Sequence, residues 1–282
     1  MNVDIGDPLA RRAIEAIDEG DLLSLDRLLR EHGSLASTRF DGGEGYFARP
    51  YLLWFVAENP VRRGSLPENI CAIARAIIDA AKRADAPTLP EQLDKALELV
   101  ASGCVARQCS LQGALIDTLL DAGARPDSAM EAAAAHGECD AVERLLERGA
   151  PLTLVGAACL GRLDAIAGMS PHATTLDRQR ALVAAAVAGR PRAIAALVVS
   201  GADVNAYGPP GFHAHSTALH QAVCAGSLES VDLLVTAGAD PLTRDRIHNG
   251  TALDWAEHLR RDDIATYLKG LSTPPTAPSG IG

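Results

Sequence analysis

The sequence predicts an all-α helical-repeat solenoid, and three observations carry that expectation. Short Ala/Leu-rich helices ending in glycine alternate with amphipathic helices of the form Leu-x-x-Val/Ile-x-x-Leu-Leu/Val, each followed by Gly-Ala. The composition is 48% hydrophobic but only 4% aromatic, which suits many short helices packed closely rather than one ring-lined pocket. No apolar run approaches the roughly 18 residues needed to span a bilayer, so the 282-residue chain reads as folded and soluble, neither membrane-embedded nor disordered.

The first helix pair is expected within 8–36, where Leu22, Leu25, Leu28 and Leu29 form the stripe of its second helix and His32-Gly33 close it. A second copy starts near Pro50, with Leu52 to Asn59 as first helix, an insertion through Pro60 to Pro67, and a second helix near 68–83. The third has its first helix from Pro90 to Ser102, an insertion through Cys109, and a second helix at 110–121. Copies near 127–150 and 152–170 are short, and the best-defined ones lie at 177–270.

In these later copies the chemistry of each position is clear. Thr217 to Pro241 reads TALHQAVCAGSLESVDLLVTAGADP, with Gly226 between its helices and Gly238 closing the second. A helix that must stop and reverse needs a left-handed residue, which glycine adopts without steric cost. Val231, Leu234 and Val235 recur at i, i+3 and i+4 as a buried stripe, while runs such as Ala132 to Ala135 let neighbouring first helices approach closely. One such pair cannot bury its own apolar face, so copies must stack. The outer helix of the last copy, with Arg260, Arg261, Asp262 and Asp263, is expected to face water, and 271–282 to be a disordered tail.

The strings Thr217-Ala218-Leu219-His220, Gly226-Ser227-Leu228-Glu229 and Gly238-Ala239-Asp240 resemble the ankyrin repeat, whose usual form is Thr-Pro-Leu-His, Gly-His-Leu-Glu and Gly-Ala-Asp. Thr251-Ala252-Leu253-Asp254-Trp255-Ala256 looks like the start of another copy and Gly201 to Ala206 like the end of the preceding one. The resemblance covers most of residues 8–270, strongly after about Arg125 and more weakly over 8–124. It implies an ankyrin-type solenoid of about seven or eight copies, with short β-hairpin fingers and degenerate N-terminal repeats. Tyr51 to Ile70 with its insertion, followed by Cys71 to Ala84 and Ser110 to Ala124, is similar to a divergent bacterial group with long insertions in early repeats. Having only Lys82, Lys95 and Lys269 as lysines, alongside many Ala and Gly, leans the same way. Gly137 and Gly161 lie 24 positions apart, against roughly 33 in the family, which implies missing fingers mid-chain. Gly189 and Gly226 lie 37 apart, which implies an extended finger at Tyr207 to Ser216.

That finger carries the richest polar cluster. His213, His215 and His220, with His248 one finger further on, could gather imidazoles for zinc, but no thiol or carboxylate sits at ligand spacing, so no metal is assigned. The resemblance gives Thr217 and His220 a structural role, bonding loop backbone, while His215 is expected to tie neighbouring fingers together. Tyr207, Phe212 and His213, beside Pro209 and Pro210, read as rigid partner-contacting surface, the alternative being that Phe212 folds back onto the adjoining repeat. The facing finger, Arg244 to Gly250, would present Arg246, His248 and Asn249 while Asp245 bonds the turn. In the ring-rich stretch from Arg39 to Trp54, Gly42-Gly43-Glu44-Gly45 lacks the Lys-Ser/Thr ending of a phosphate loop. Next to it, Arg62 and Arg63 read as interface anchors, with a salt-bridged or solvated face as the alternative.

No nucleophile with a base, no His-Glu-x-x-His and no Gly-x-Ser-x-Gly is present, so no catalytic residue and no cofactor is assigned. The expectation is a non-catalytic scaffold, a monomer binding a protein partner through its concave face and fingers. The rival is a small-molecule or metal-dependent enzyme using His213, His215 and His248. A formal charge of −10 and the lack of a basic stripe argue against nucleic acid and make a basic patch on the partner plausible; no membrane role is expected. The segment from Met1 to Pro8 lacks the features of a secretory signal, so a cytoplasmic location is expected. The six cysteines, without a Cys-x-x-Cys pair, read as reduced core thiols.

Overall fold

A computed structural model describes residues 5–272. Its backbone is a succession of paired helices with no extended strand among the described residues. It divides into two compact units, one ending at Leu152 and one beginning at Thr153.

In the first unit, α1 (Pro8–Glu19) starts where the Asp7 carboxylate accepts the Leu9 N–H at 2.8 Å, with Pro8 fixing the first turn. Its buried face is Ala10, Ala13, Ile14, Ala16 and Ile17, and it pairs with α2 (Leu22–Glu31), which buries Leu25, Leu28 and Leu29. The expected first helix of the second copy is a 3-10 turn, Leu52–Ala57, every side chain of which is buried. It is followed by α3 (Ile70–Arg83), α4 (Leu89–Ser102), a short α5 (Cys104–Gln108) inside the expected insertion, and α6 (Gln112–Asp121). α7 (Met130–Ala135) and α8 (Cys139–Glu147) complete the unit. The stretch from Arg39 to Phe55 adds rings to its largely aliphatic core, with Phe40, Phe47, Tyr51, Trp54 and Phe55 all buried.

Among the described residues the second unit holds four pairs: α9 (Leu154–Leu160) with α10 (Leu163–Met169), α11 (Thr175–Val187) with α12 (Pro191–Val199), α13 (Ala218–Ala225) with α14 (Leu228–Thr236), and α15 (Ala252–His258) with α16 (Asp262–Ser272). The first helices pack side by side, α9 on α11, α11 on α13 and α13 on α15, through faces of Ala, Val and Leu. The second helices make their own row, α10, α12, α14 and α16. Leu271 and Ser272, expected in the tail, close α16, and the rest of that segment lies outside the described residues.

Gly226 shows why glycine recurs between the helices of a pair. Its φ is +72°, and a Cβ there would stand 2.9 Å from the Arg261 guanidinium carbon. Arg261 lies just before α16 and donates from its guanidinium to the Cys224 carbonyl at 3.0 Å, satisfying one of the carbonyls left open where α13 ends. Arg190 treats the end of α9 in the same way, donating to the Cys159 carbonyl at 3.0 Å beside Gly161.

The fingers differ from the expected β-hairpins. The connection between α12 and α13 is a set of turns with one isolated antiparallel bridge, Tyr207 to Thr217. Proline at 209 and 210 supplies no backbone donor for a ladder, and the chain turns at Gly211 and His213, both with positive φ. The cysteines also depart from the core expectation: all six are free thiols, but only Cys159 is buried, and Cys104 and Cys224 are exposed.

Candidate protein-binding finger and groove

The loop between α14 and α15 is organised by one buried carboxylate. Asp245 accepts the N–H groups of Ile247 at 2.9 Å, His248 at 2.7 Å and Gly250 at 2.9 Å, and the indole N–H of Trp255 at 3.0 Å. Burial alone would raise its pKa. The backbone donors from His248, Gly250 and Ile247 and the Trp255 indole outweigh that and hold the group ionised well below the ordinary carboxylate range. As the sequence suggests, Asp245 bonds the turn, and it thereby fixes a rigid tip on which Arg246, Ile247, His248 and Asn249 are exposed. Ile247, an apolar side chain 63% exposed, went unnoticed in the sequence because a single isoleucine between Arg and His has no periodicity to mark it.

His220 anchors the same loop from α13. Its Nε2 lies 3.2 Å from the Gly250 carbonyl and its Nδ1 2.9 Å from the Thr217 hydroxyl and 3.3 Å from the Thr217 N–H. A carbonyl only accepts and a backbone N–H only donates, so Nε2 carries the proton and Nδ1 accepts. Burial pushes the His220 pKa down, against the opposing pull of the Gly250 carbonyl and Asp245. The neighbouring fingers are joined through backbone: Arg246 donates its N–H to the His215 carbonyl at 2.7 Å, and the His215 ring stacks on Trp255 with centroids 6.1 Å apart.

The expected contact residues separate into two groups. Tyr207, Arg246, His248, Asn249 and His213 all lie on these two fingers. The Arg246 guanidinium sits 3.8 Å above the Tyr207 ring, and the Tyr207 hydroxyl donates to the Arg244 carbonyl at 2.6 Å. Phe212 departs from the expectation of an exposed ring. It is only 4% exposed, folded back beneath the Arg180 guanidinium at 5.6 Å, because a phenyl ring loses more by staying in water than a short loop loses by turning inward.

Arg62 is also corrected. It makes two hydrogen bonds to Asp18, at 2.8 and 2.7 Å, and an ion pair with Glu58 at 2.9 Å, so its charge is spent inside the first unit. Glu58 is buried and further accepts the N–H groups of Arg62, Arg63 and Gly64, which fixes the insertion. Only Arg63 of the pair remains exposed.

Two surface grooves flank these features. In the second unit, a groove of about 550 Å³ is lined by Cys224, His248, Asn249, Gly250, Asp254, Trp255, His258 and Leu259. In the first, one of about 590 Å³ is lined by Trp54, Pro90, Glu91, Asp94, Lys95, Glu98, Arg125 and Ser128. Its carboxylates are engaged within the unit: Glu91 by Arg39, Asp94 by Arg125 and Glu98 by Lys95. Among the described residues, no group of three or more His, Cys, Asp or Glu is placed to hold a metal ion, and no helix is long and apolar enough to cross a membrane. His213 and His215 lie with ring centroids 6.1 Å apart, but His215 is stacked on Trp255 and His248 turns to the groove, so the three do not converge.

A family model described as ankyrin repeats, in three copies, matches residues 104–245, half of the chain. The chain belongs to the ankyrin-repeat family. The match starts within the copies that looked degenerate and ends at Asp245, in the finger built above. Among curated proteins, the chain is 34% identical over 151 residues to ankyrin repeat and SAM domain-containing protein 6 of Danio rerio, covering 52% of this chain and 20% of that protein. It is 45% identical over 76 residues to ankyrin repeat and SOCS box protein 6 of Mus musculus, covering 27% of this chain and 18% of that protein. Over 66 residues it is 44% identical to the Notch-regulated ankyrin repeat-containing protein of Xenopus tropicalis, covering 23% and 54% respectively. The chain thus spans about a fifth of the first two relatives and about half of the third, and all three are eukaryotic. Ankyrin repeats generally mediate protein–protein interaction.

Proposed function

We propose that this chain is a non-catalytic scaffold that holds a partner protein on its first helices and finger loops. The observation that carries the reading is the finger from Arg244 to Gly250. Four hydrogen bonds into the buried Asp245 keep its tip rigid while Arg246, Ile247, His248 and Asn249 are left for a partner. Preorganised exposed side chains lose little conformational entropy on binding, so contact energy is not spent on ordering the loop. Tyr207 and His213 extend that surface and Arg63 is a separate candidate, whereas Phe212 and Arg62 act only by holding their own loops in place. A monomeric protein working in the cytoplasm, independent of nucleic acid, membrane and cofactor, is the setting we propose. The interruptions at 58–69 and 103–111 support placing it with bacterial ankyrin proteins that carry early insertions.

The test is affinity capture from cells of the source organism with the tagged full chain and its Ile247→Asp variant. An exposed substitution of this kind moves stability by within about 0.5 kcal/mol. We expect a protein retained by the wild type and lost by the variant at unchanged melting temperature. Equal retention by both would remove the finger from the binding surface.

A further inference from the structure

We propose that the Asn249–Gly250 bond is a site of spontaneous side-chain deamidation that Asp245 and Arg244 hold closed, so that Asn249 is converted to aspartate or isoaspartate only when the finger opens. The proposal goes beyond the protein-binding reading and stands without it.

The turn calls for this dipeptide. Residue 249 has a φ of +56°, a left-handed conformation that asparagine tolerates better than most side chains. At 250 a Cβ would stand 3.2 Å from an Asp245 carboxylate oxygen and 3.2 Å from the Trp255 ring, so glycine fits where a side chain would crowd both. Asn-Gly occurs nowhere else in the sequence. It is also the pair in which asparagine is chemically least durable, because a successor without a side chain leaves its nitrogen open to approach the amide.

The reaction needs only water. The Gly250 nitrogen loses its proton and bonds to the side-chain carbonyl carbon of Asn249, while the side-chain amide nitrogen takes up a proton and leaves as ammonia. Water then opens the five-membered succinimide at one of its two carbonyls, giving aspartate or isoaspartate. Either product puts a new negative charge on the tip that carries Arg246, Ile247 and His248, and isoaspartate also lengthens its backbone by one carbon.

Two features of the finger oppose the first step. The Gly250 N–H donates to Asp245 at 2.9 Å, and on the other side of the same peptide group the Asn249 carbonyl accepts from the Arg244 guanidinium at 2.6 Å. The group is planar, so turning its nitrogen onto the side-chain amide swings the whole plane and breaks both bonds. Charge acts in the same direction. Loss of the N–H proton would create an anion beside a carboxylate that is itself held ionised, and a hydrogen bond from the neutral N–H further disfavours that loss. Asn249 is exposed, so water has access and the closed turn is what protects it. Asn205 differs in having its own side-chain amide tied down, to the Gly238 carbonyl at 2.9 Å and the Asp240 N–H at 2.8 Å.

The experiment incubates the full chain, its Asp245→Asn and Arg244→Ala variants, and a synthetic peptide from Arg244 to Thr251 in the same neutral buffer, and follows conversion by mass spectrometry. Trypsin cuts after Arg246, so Asn249 is read apart from position 245. Conversion at Asn249 should be at least tenfold slower in the folded wild type than in the peptide. It should rise at least fivefold in Asp245→Asn and at least twofold in Arg244→Ala, whose exposed side chain can be removed at unchanged melting temperature. Hydrogen exchange should quicken at the Gly250 amide of both variants while the α11 amides keep their wild-type rates. A wild type that converts as fast as the peptide would overturn the proposal, as would a wild-type rate in either variant. Faster exchange throughout α11 of Arg244→Ala would assign its conversion to global unfolding and overturn the local guard. Should Asp245→Asn fail to fold, Arg244→Ala decides.

Discussion

Asp245 and His220 are two buried polar residues whose contributions depend on opposite protonation behaviour. Asp245 is useful only as an anion, since its partners are all donors. Asp245→Ala leaves those donors buried without an acceptor, and we expect a loss of about 2 kcal/mol or more, read from chemical denaturation. His220 is held as the neutral imidazole, its folded pKa pushed below the ordinary value of 6.5 chiefly by burial. Between that folded pKa and 6.5 the unfolded chain binds more protons, so stability rises with pH there and falls on acidification from 7 towards 5. The His220→Gln variant should be less stable at pH 7 and show a shallower loss of melting temperature over the same interval. A variant with the wild-type slope would assign the titration to another group.

At the scale of elements, the finger and the helix ends determine what a substitution does. Phe212→Ala is expected to destabilise by about 3 kcal/mol, because it opens a cavity under Arg180. A melting temperature unchanged in that variant would contradict the burial. Gly226→Ala should also destabilise, by roughly 1 kcal/mol or more, since its φ of +72° disfavours a side chain and the new Cβ would displace Arg261. In the Arg261→Ala background the clash is gone and only the backbone strain remains, so the double variant should lose less than the sum of the singles. Strict additivity would show that the guanidinium contact is immaterial.

For the whole molecule, acid stability collects the depressed carboxylates. Asp117 is held down first by its hydrogen bond to Arg144, against the pull of burial, and Asp254 first by the Thr251 N–H. Groups of this kind contribute stability above their unfolded value of 3.8 that is lost as pH falls through their folded values. The melting temperature should therefore drop steeply below about pH 4, and less steeply in an Asp245→Asn variant, whose remaining stability no longer depends on that carboxylate. Calorimetric scans from pH 5 to pH 3 measure both.

Most helix pairs were legible in the sequence because their signals are local. Gly226 stops α13 and Gly201 follows α12, and the stripe of Val231 and Leu234 identifies the buried face of α14, all within one or two turns of chain. Such signals recur with the repeat and so reinforce one another. The family resemblance rests on the same positions. What only the tertiary structure decided are the contacts between residues far apart in sequence. Phe212 goes inward because Arg180 and α11 stand there to receive it, and Arg62 is consumed by Asp18, 44 positions earlier. The groove at Trp255 exists because α13 and α15 pack side by side and Asp245 turns the loop over them. A local pattern fixes where a helix begins, ends and hides its apolar face, whereas exposure and charge pairing are properties of neighbours that the linear order does not contain.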